Sequence, residues 1–222
     1  MVTQLPLFPL GTVLFPGLVL PLHVFERRYR VLVQALLSLP EGAERVFGVV
    51  AIRAGREVGE DGVRALHGIG CTARLQDATP HEDGRFDIVV VGETRFRLEE
   101  LDESAGTPYH TGVVELLGES DGPGGRAESE PLAAATGARF QAYRVRLGLD
   151  PIALPADPTA LSYLVAAAVL LDLGDRQALL GQATTVERLG AEFALLRREL
   201  ALIEAFASLP AADLVREGSH PN

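Results

Sequence analysis

Residues 5–22 read LPLFPLGTVLFPGLVLPL, an apolar run that proline and glycine interrupt every few positions. Pro6, Pro9, Pro16 and Pro21 prevent it from forming one helix, and no basic segment leads into it, so it lacks the form of a secretory signal. Its pieces, Leu5–Phe8, Thr12–Phe15 and Val19–Leu20, are short strands separated by turns.

The stretches beyond it continue the β pattern to about residue 117. Val46–Ile52 (VFGVVAI) is an apolar run flanked by charged loops, as a buried strand requires. In Gly68–Asp77, Ile69, Cys71, Ala73 and Leu75 alternate with Gly70, Thr72, Arg74 and Gln76, the period of a half-buried strand. His81-Glu82-Asp83-Gly84 reads as a hairpin turn into Phe86–Val91, and Arg95–Leu101 and Tyr109–Leu117 complete the set. One helix interrupts it, Val24–Leu37, with Phe25, Tyr29, Leu32 and Leu36 at helical spacing and Pro40 just beyond.

Composition changes at 118–130, where Gly118, Gly122, Gly124 and Gly125 combine with Pro123 and acidic residues into an expected flexible acidic linker. The chain therefore divides into a β region at 1–117 with one helix, the linker at 118–130, a helical bundle at 131–208 and a loose tail at 209–222. Within the bundle a helix is expected from Pro131 to Leu147. A second starts at Asp157-Pro158 and ends near Gly174, and a short third covers Asp175–Gln182. Thr184 and Glu187 have capping-box spacing ahead of the stripe Val186, Leu189, Phe193, Leu196, Leu200 and Ile203. That stripe reads as the core face of a bundle helix.

Charge and chemistry narrow the function. The 30 carboxylates exceed the 20 cations for a net charge of −10, and aromatic residues make up 6% with no tryptophan. Phosphate contacts and stacking platforms are both scarce, so nucleic acid is a poor partner. Every cation is arginine. Without lysine there is no Walker-type phosphate loop and no serine–lysine dyad. Cys71 lies on the apolar side of its strand, as a small core residue would, and adjacent carboxylates such as Glu99 and Glu100 point to opposite faces. The histidines (23, 67, 81, 110 and 220) lack ligand spacing, and His81 beside Glu82 and Asp83 reads as a charged turn, so no metal is expected. No catalytic set emerges and no cofactor is implied. The longest apolar stretch, Leu161–Leu173, is shorter than the roughly 20 residues that cross a bilayer. A cytoplasmic, non-enzymatic protein is expected, with no membrane partner.

The opening motifs, Leu5–Leu10, Val13–Gly17 and Leu20–Leu22, resemble the start of the substrate-binding amino-terminal domain family of Lon proteases, which also occurs as stand-alone proteins. Phe25-Glu26-Arg27-Arg28-Tyr29 is similar to the F-E-x-R-Y segment of stand-alone members, with Arg27 where proline is frequent. Phe47–Val50, Glu57-Val58-Gly59, Ile69-Gly70 and Gly92–Phe96 follow in family order, with Cys71 where threonine is usual. Gln177–Leu180 and the Arg188–Phe206 helix resemble the family's helical part. The resemblance implies an α+β fold, a PUA-like β-barrel packed on a helical bundle. It also implies binding of unfolded, extended or degron-bearing polypeptides, as an adaptor in quality control beside a protease or chaperone. Phe15, Pro16 and Leu18, in a turn apolar enough to touch such a ligand, are the first contact candidates. Arg95 and Arg97, on one strand face, could meet an acidic ligand. An RNA-binding PUA-like module and a small-molecule sensor using the cleft between barrel and bundle are the competing readings.

Overall fold

The alternation that starts at Ile69 belongs to a hairpin longer than its motif. In the computed structural model, which describes residues 2–55 and 63–207, strand β4 (Val63–Pro80) turns through His81–Arg85 into β5 (Phe86–Leu101). Gly84 permits the turn at φ +80°, a conformation costly for residues with a Cβ. Phe86–Val91 and Arg95–Leu101, expected as two strands, form one. Register shifts opposite Cys71–Ala73 and Leu75–Asp77 bend it without ending it.

Four more strands join this pair: β1 (Val2–Leu10), β2 (Val19–Val24), β3 (Val46–Gly55) and β6 (Thr111–Leu116). Their order is β2-β5-β4-β3-β1-β6. β5 also pairs with β6 from Phe96↔Leu116 to Leu101↔Gly112, so the ladder running β5, β4, β3, β1, β6 returns to β5. One edge of β5 is thereby shared: β2 takes residues 86–91 and β6 takes residues 96–101. β1 and β3 are parallel, and the crossover between them carries β2 and helix α1 (Arg27–Leu37). β1 is covered on both sides. Leu7 faces Leu5, Val50, Phe96 and Val114, and Phe8 and Leu10 face α1, where the Phe8 and Tyr29 rings stack with centroids 4.1 Å apart.

Two expectations for this half differ from the structure. Thr12–Phe15 is not a strand: it joins no ladder among the described residues, and Val13, Leu14 and Phe15 are buried in succession in the loop between β1 and β2. Helix α1 starts at Arg27 rather than Val24, since Val24 still pairs with Phe86, and Phe25 is left outside the helical stripe.

The second half holds α2 (Arg126–Arg146), α3 (Pro158–Ala168), α4 (Leu173–Leu180) and α5 (Thr185–Ala207). Asp157 accepts the Ala160 N–H and Pro158 opens α3, as the sequence indicates. The Thr184–Glu187 capping box forms with both reciprocal bonds. Leu189 and Leu196 are fully buried against Phe140, Tyr143, Leu161 and Val165. α3, however, ends at Ala168, and Gly174 sits in the first turn of α4 behind the cap Asp172.

The segment 118–130 also departs from a flexible linker. α2 begins at Arg126, five residues before Pro131, and Ser129 is completely buried. The carbonyls of Ser120 and Asp121 accept the N–H groups of Thr185 and Val186, so this stretch satisfies donors that the start of α5 would otherwise leave open. Arg126 pairs with Asp157 at 2.6 Å and Asp121 at 3.4 Å. The Glu57-Val58-Gly59 motif, His220 and the tail at 209–222 lie outside the described residues.

Candidate functional site: the open edge of the second strand

Gly92 donates its N–H to the Leu18 carbonyl, which fixes the phase of the ladder between β2 and β5. Alternate residues of β2, Leu20, Leu22 and Val24, aim their backbone groups at β5. Val19, Pro21 and His23 aim theirs away, toward an edge that no strand among the described residues pairs. Proline is tolerated there because its missing donor faces outward. The edge offers the carbonyls of Val19, Pro21 and His23 and the N–H groups of Val19 and His23.

Beside that edge lies a recess of about 270 Å³, lined by Phe8, Leu10, Leu22, His23, Val24, Phe25, Glu26 and Tyr29. Its walls come from β1, β2 and the start of α1. Phe25, which lines this recess, is 48% exposed, and Val19, at the far end of β2, is 62% exposed. The Phe25 ring stacks on His23 at 6.2 Å between centroids.

The residues singled out from sequence are placed differently. Phe15 is 1% exposed, packed against Tyr163, Leu179 and Leu180 of the helical half, so it joins the two halves and is not presented to a ligand. Pro16 and Leu18 are half-buried, and Leu18 packs on two core clusters. Arg95 and Arg97 do share a strand face, but helices cover that face at Arg95. Its guanidinium bonds Glu119 at 2.8 Å and the carbonyls of Leu180 (3.0 Å) and Gln182. Arg97 stays exposed and pairs with Glu115. A second buried guanidinium, Arg188, bonds the Leu179 carbonyl and Ser162 and lies 3.5 Å from Glu119. Its pKa is lowered, chiefly by burial. Among the described residues, these groups and Phe15 meet in the seam between the halves, where the sequence left room for a ligand cleft. Cys71 is fully buried and its thiol is pushed up to about 12 by desolvation, which disqualifies it as a nucleophile.

Neither Phe25 nor the β2 edge was marked by the sequence. The step from Phe25 to Tyr29 imitates a helix face, and only the cross-strand pairing of Val24 shows that the helix has not yet begun.

The sequence profile of the ATP-dependent protease La (LON) substrate-binding domain matches residues 4–198. The chain belongs to the Lon substrate-binding domain family. Lon protease 2 of Herpetosiphon aurantiacus is 28% identical over 207 residues, covering 90% of this chain and 24% of that protein. Lon protease of Escherichia coli is 27% identical over 208 residues, covering 90% and 25%. The chain thus spans about a quarter of the length of these curated relatives. The crystal structure of a Lon N-terminal domain protein from Xanthomonas campestris is 26% identical with a TM-score of 0.61, covering 94% of this chain and 99% of that one. The N-terminal domain of the Mycobacterium avium complex Lon protease has the same fold, with a TM-score of 0.66 at 18% identity over 88% and 98%. The part of the Lon protein that matches is its substrate-binding domain, and the α+β architecture is that of the family. In this Lon-family chain, no helix among the described residues is long and apolar enough to cross a membrane.

Proposed function

We propose that this protein binds extended or unfolded polypeptide segments without catalysis, along the open edge of β2 and in the recess beside it. Support comes from membership in the Lon substrate-binding domain family and from the absence of a serine–lysine dyad in a chain without lysine. The observation that carries the site is the exposure of Phe25 in a recess beside a strand edge that no other described strand pairs. An extended peptide adds to such an edge through main-chain hydrogen bonds, and its alternate side chains enter the depression. Pro21 withholds one donor, which keeps the contact weak and broad, as a binder of many sequences needs. The closed order of the strand ladder supports reading the β half as a PUA-like barrel, with α2–α5 as its helical bundle. A cytoplasmic adaptor that hands polypeptides to a protease or chaperone is the role this binding would serve.

An array of overlapping peptides from unrelated proteins tests the reading. Saturable signal on apolar, extended peptides is expected. Phe25→Ser should weaken it about 30-fold, the loss of roughly 2 kcal/mol typical of an aromatic anchor. Arg97→Gln, away from the recess, should leave it unchanged. A blank array, confirmed with a denatured protein as ligand, overturns the function. Signal indifferent to Phe25→Ser and Val19→Asp overturns the site.

A further inference from the structure

His23, Asp87 and His81 converge on one point although 64 residues separate the first from the second. His23 on β2 and Asp87 on β5 are directly opposed in the ladder, and they occupy the close, non-hydrogen-bonded type of pair, where side chains stand nearest. His81 opens the turn between β4 and β5, its backbone tied to Arg85 by an N–H to carbonyl bond of 2.8 Å, and its ring folds back over Asp87. Nδ1 of His23 lies 2.6 Å from Oδ1 of Asp87, and Nε2 of His81 lies 2.7 Å from Oδ2. The potential ligand atoms of all three fall within 4.8 Å of one another.

We propose that these three residues form a binding site for a divalent transition-metal ion of the zinc class. Two imidazoles and a carboxylate are ligands that such ions prefer, whereas calcium and magnesium favour all-oxygen shells. Three protein ligands with solvent on the open side leave a coordination position free for water or an incoming group. The backbone already sets the arrangement: two ligands are fixed by strand register and the third by a hairpin turn, so little ordering remains when an ion binds.

The metal-free contacts are those of a site held together by protons. The pKa of Asp87 is lowered, first by its bond to His23 and then by that to His81, so the ionised carboxylate accepts from each ring. A cation takes the place of the two protons between the same three side chains. In neutral His23 this moves the proton from Nδ1 to Nε2, which faces Nη1 of Arg85 at 3.4 Å. Arg85 is 47% exposed and anchored through its Nε to Asp83, so Nη1 can turn away. A bound ion would clamp the edge strand β2 to the β4–β5 hairpin, at the rim of the recess that His23 helps to line.

The test is titration of the full chain, free of any histidine tag, with zinc and with cobalt at pH 7.5, followed by calorimetry and cobalt absorption. One equivalent should bind, with a visible cobalt band and a raised unfolding temperature that grows with metal concentration. His23→Ala, His81→Ala and Asp87→Asn should each weaken binding at least tenfold and abolish the cobalt band. Circular dichroism on each metal-free variant checks that it keeps its fold, and these exposed positions should tolerate the change. No stoichiometric binding, or binding unchanged in the triple variant, overturns the proposal. The readout needs no peptide, so a failure here leaves the polypeptide-binding reading untouched, and the converse holds.

Discussion

Removing the Arg95 guanidinium tests whether the two halves of the molecule stand as one unit. Arg95 is 2% exposed and sends donors to Glu119 and to the carbonyls of Leu180 and Gln182, which links β5 to the turn between α4 and α5. In Arg95→Ala both carbonyls lose their partner, each at about 1–3 kcal/mol if left without a substitute. Glu119 suffers less, being 34% exposed and still 3.5 Å from Arg188. The two carbonyls therefore dominate, and a loss of about 2–5 kcal/mol is expected. Arg95→Met keeps the apolar stem and should recover about 1 kcal/mol of packing. Urea unfolding followed by far-ultraviolet circular dichroism is the assay, with the midpoint compared at constant slope. The transition should stay single in the wild type because Phe15, Tyr163, Leu179 and Leu180 also hold the seam. A loss below about 1 kcal/mol for Arg95→Ala would refute the reasoning, since the guanidinium would then be replaceable by water.

Two further perturbations probe the interior. Glu192 is 1% exposed, and neither of its carboxylate oxygens has a hydrogen-bond partner among the described residues; burial raises its pKa well above the usual 4.5. The folded chain therefore keeps a proton that the unfolded chain has lost, so stability falls as pH rises from about 4.5 through the folded-state value. Glu192→Gln should lack that slope and be about 1–3 kcal/mol more stable at pH 8, and parallel stability–pH curves for the two proteins would contradict this. A methyl group on Gly92 would overlap the Phe15 carbonyl oxygen. Gly92→Ala should therefore cost about 1–3 kcal/mol in thermal or urea unfolding, and a variant as stable as the parent would show that the Phe15 loop yields freely.

What the sequence revealed follows the range of the interactions involved. The strand read over Gly68–Asp77 and the Thr184–Glu187 box are local, and both form, but Gly70 and Thr72, expected on the wet side of the alternation, are buried. Thr12–Phe15 was misread because three buried residues in a row match a buried strand equally well; only contacts with Tyr163 and Leu180 reveal a loop between two cores. The glycines at 118–125 do mark a break in regular structure. What composition cannot show is that the carbonyls of Ser120 and Asp121 have partners some sixty residues away, in Thr185 and Val186. The same holds for function. Arg95 looks like any strand arginine until helices cover it. His23 and Asp87 become neighbours only through the pairing of β2 with β5. The opening motifs identify the family without indicating which of their apolar side chains remain in water.

The return of the strand ladder to β5 has a consequence for how the chain is made. β1 emerges first, yet its partners are β3 at residues 48–51 and β6 at residues 111–115. During synthesis its apolar Leu5 and Leu7 must wait for Phe96 and Val114, roughly a hundred residues further along the chain. Those contacts are distant in sequence, so closing the circuit is a late and slow event compared with forming the β4–β5 hairpin. Until β6 arrives, the Val2–Pro6 edge of the first strand therefore stays unpaired.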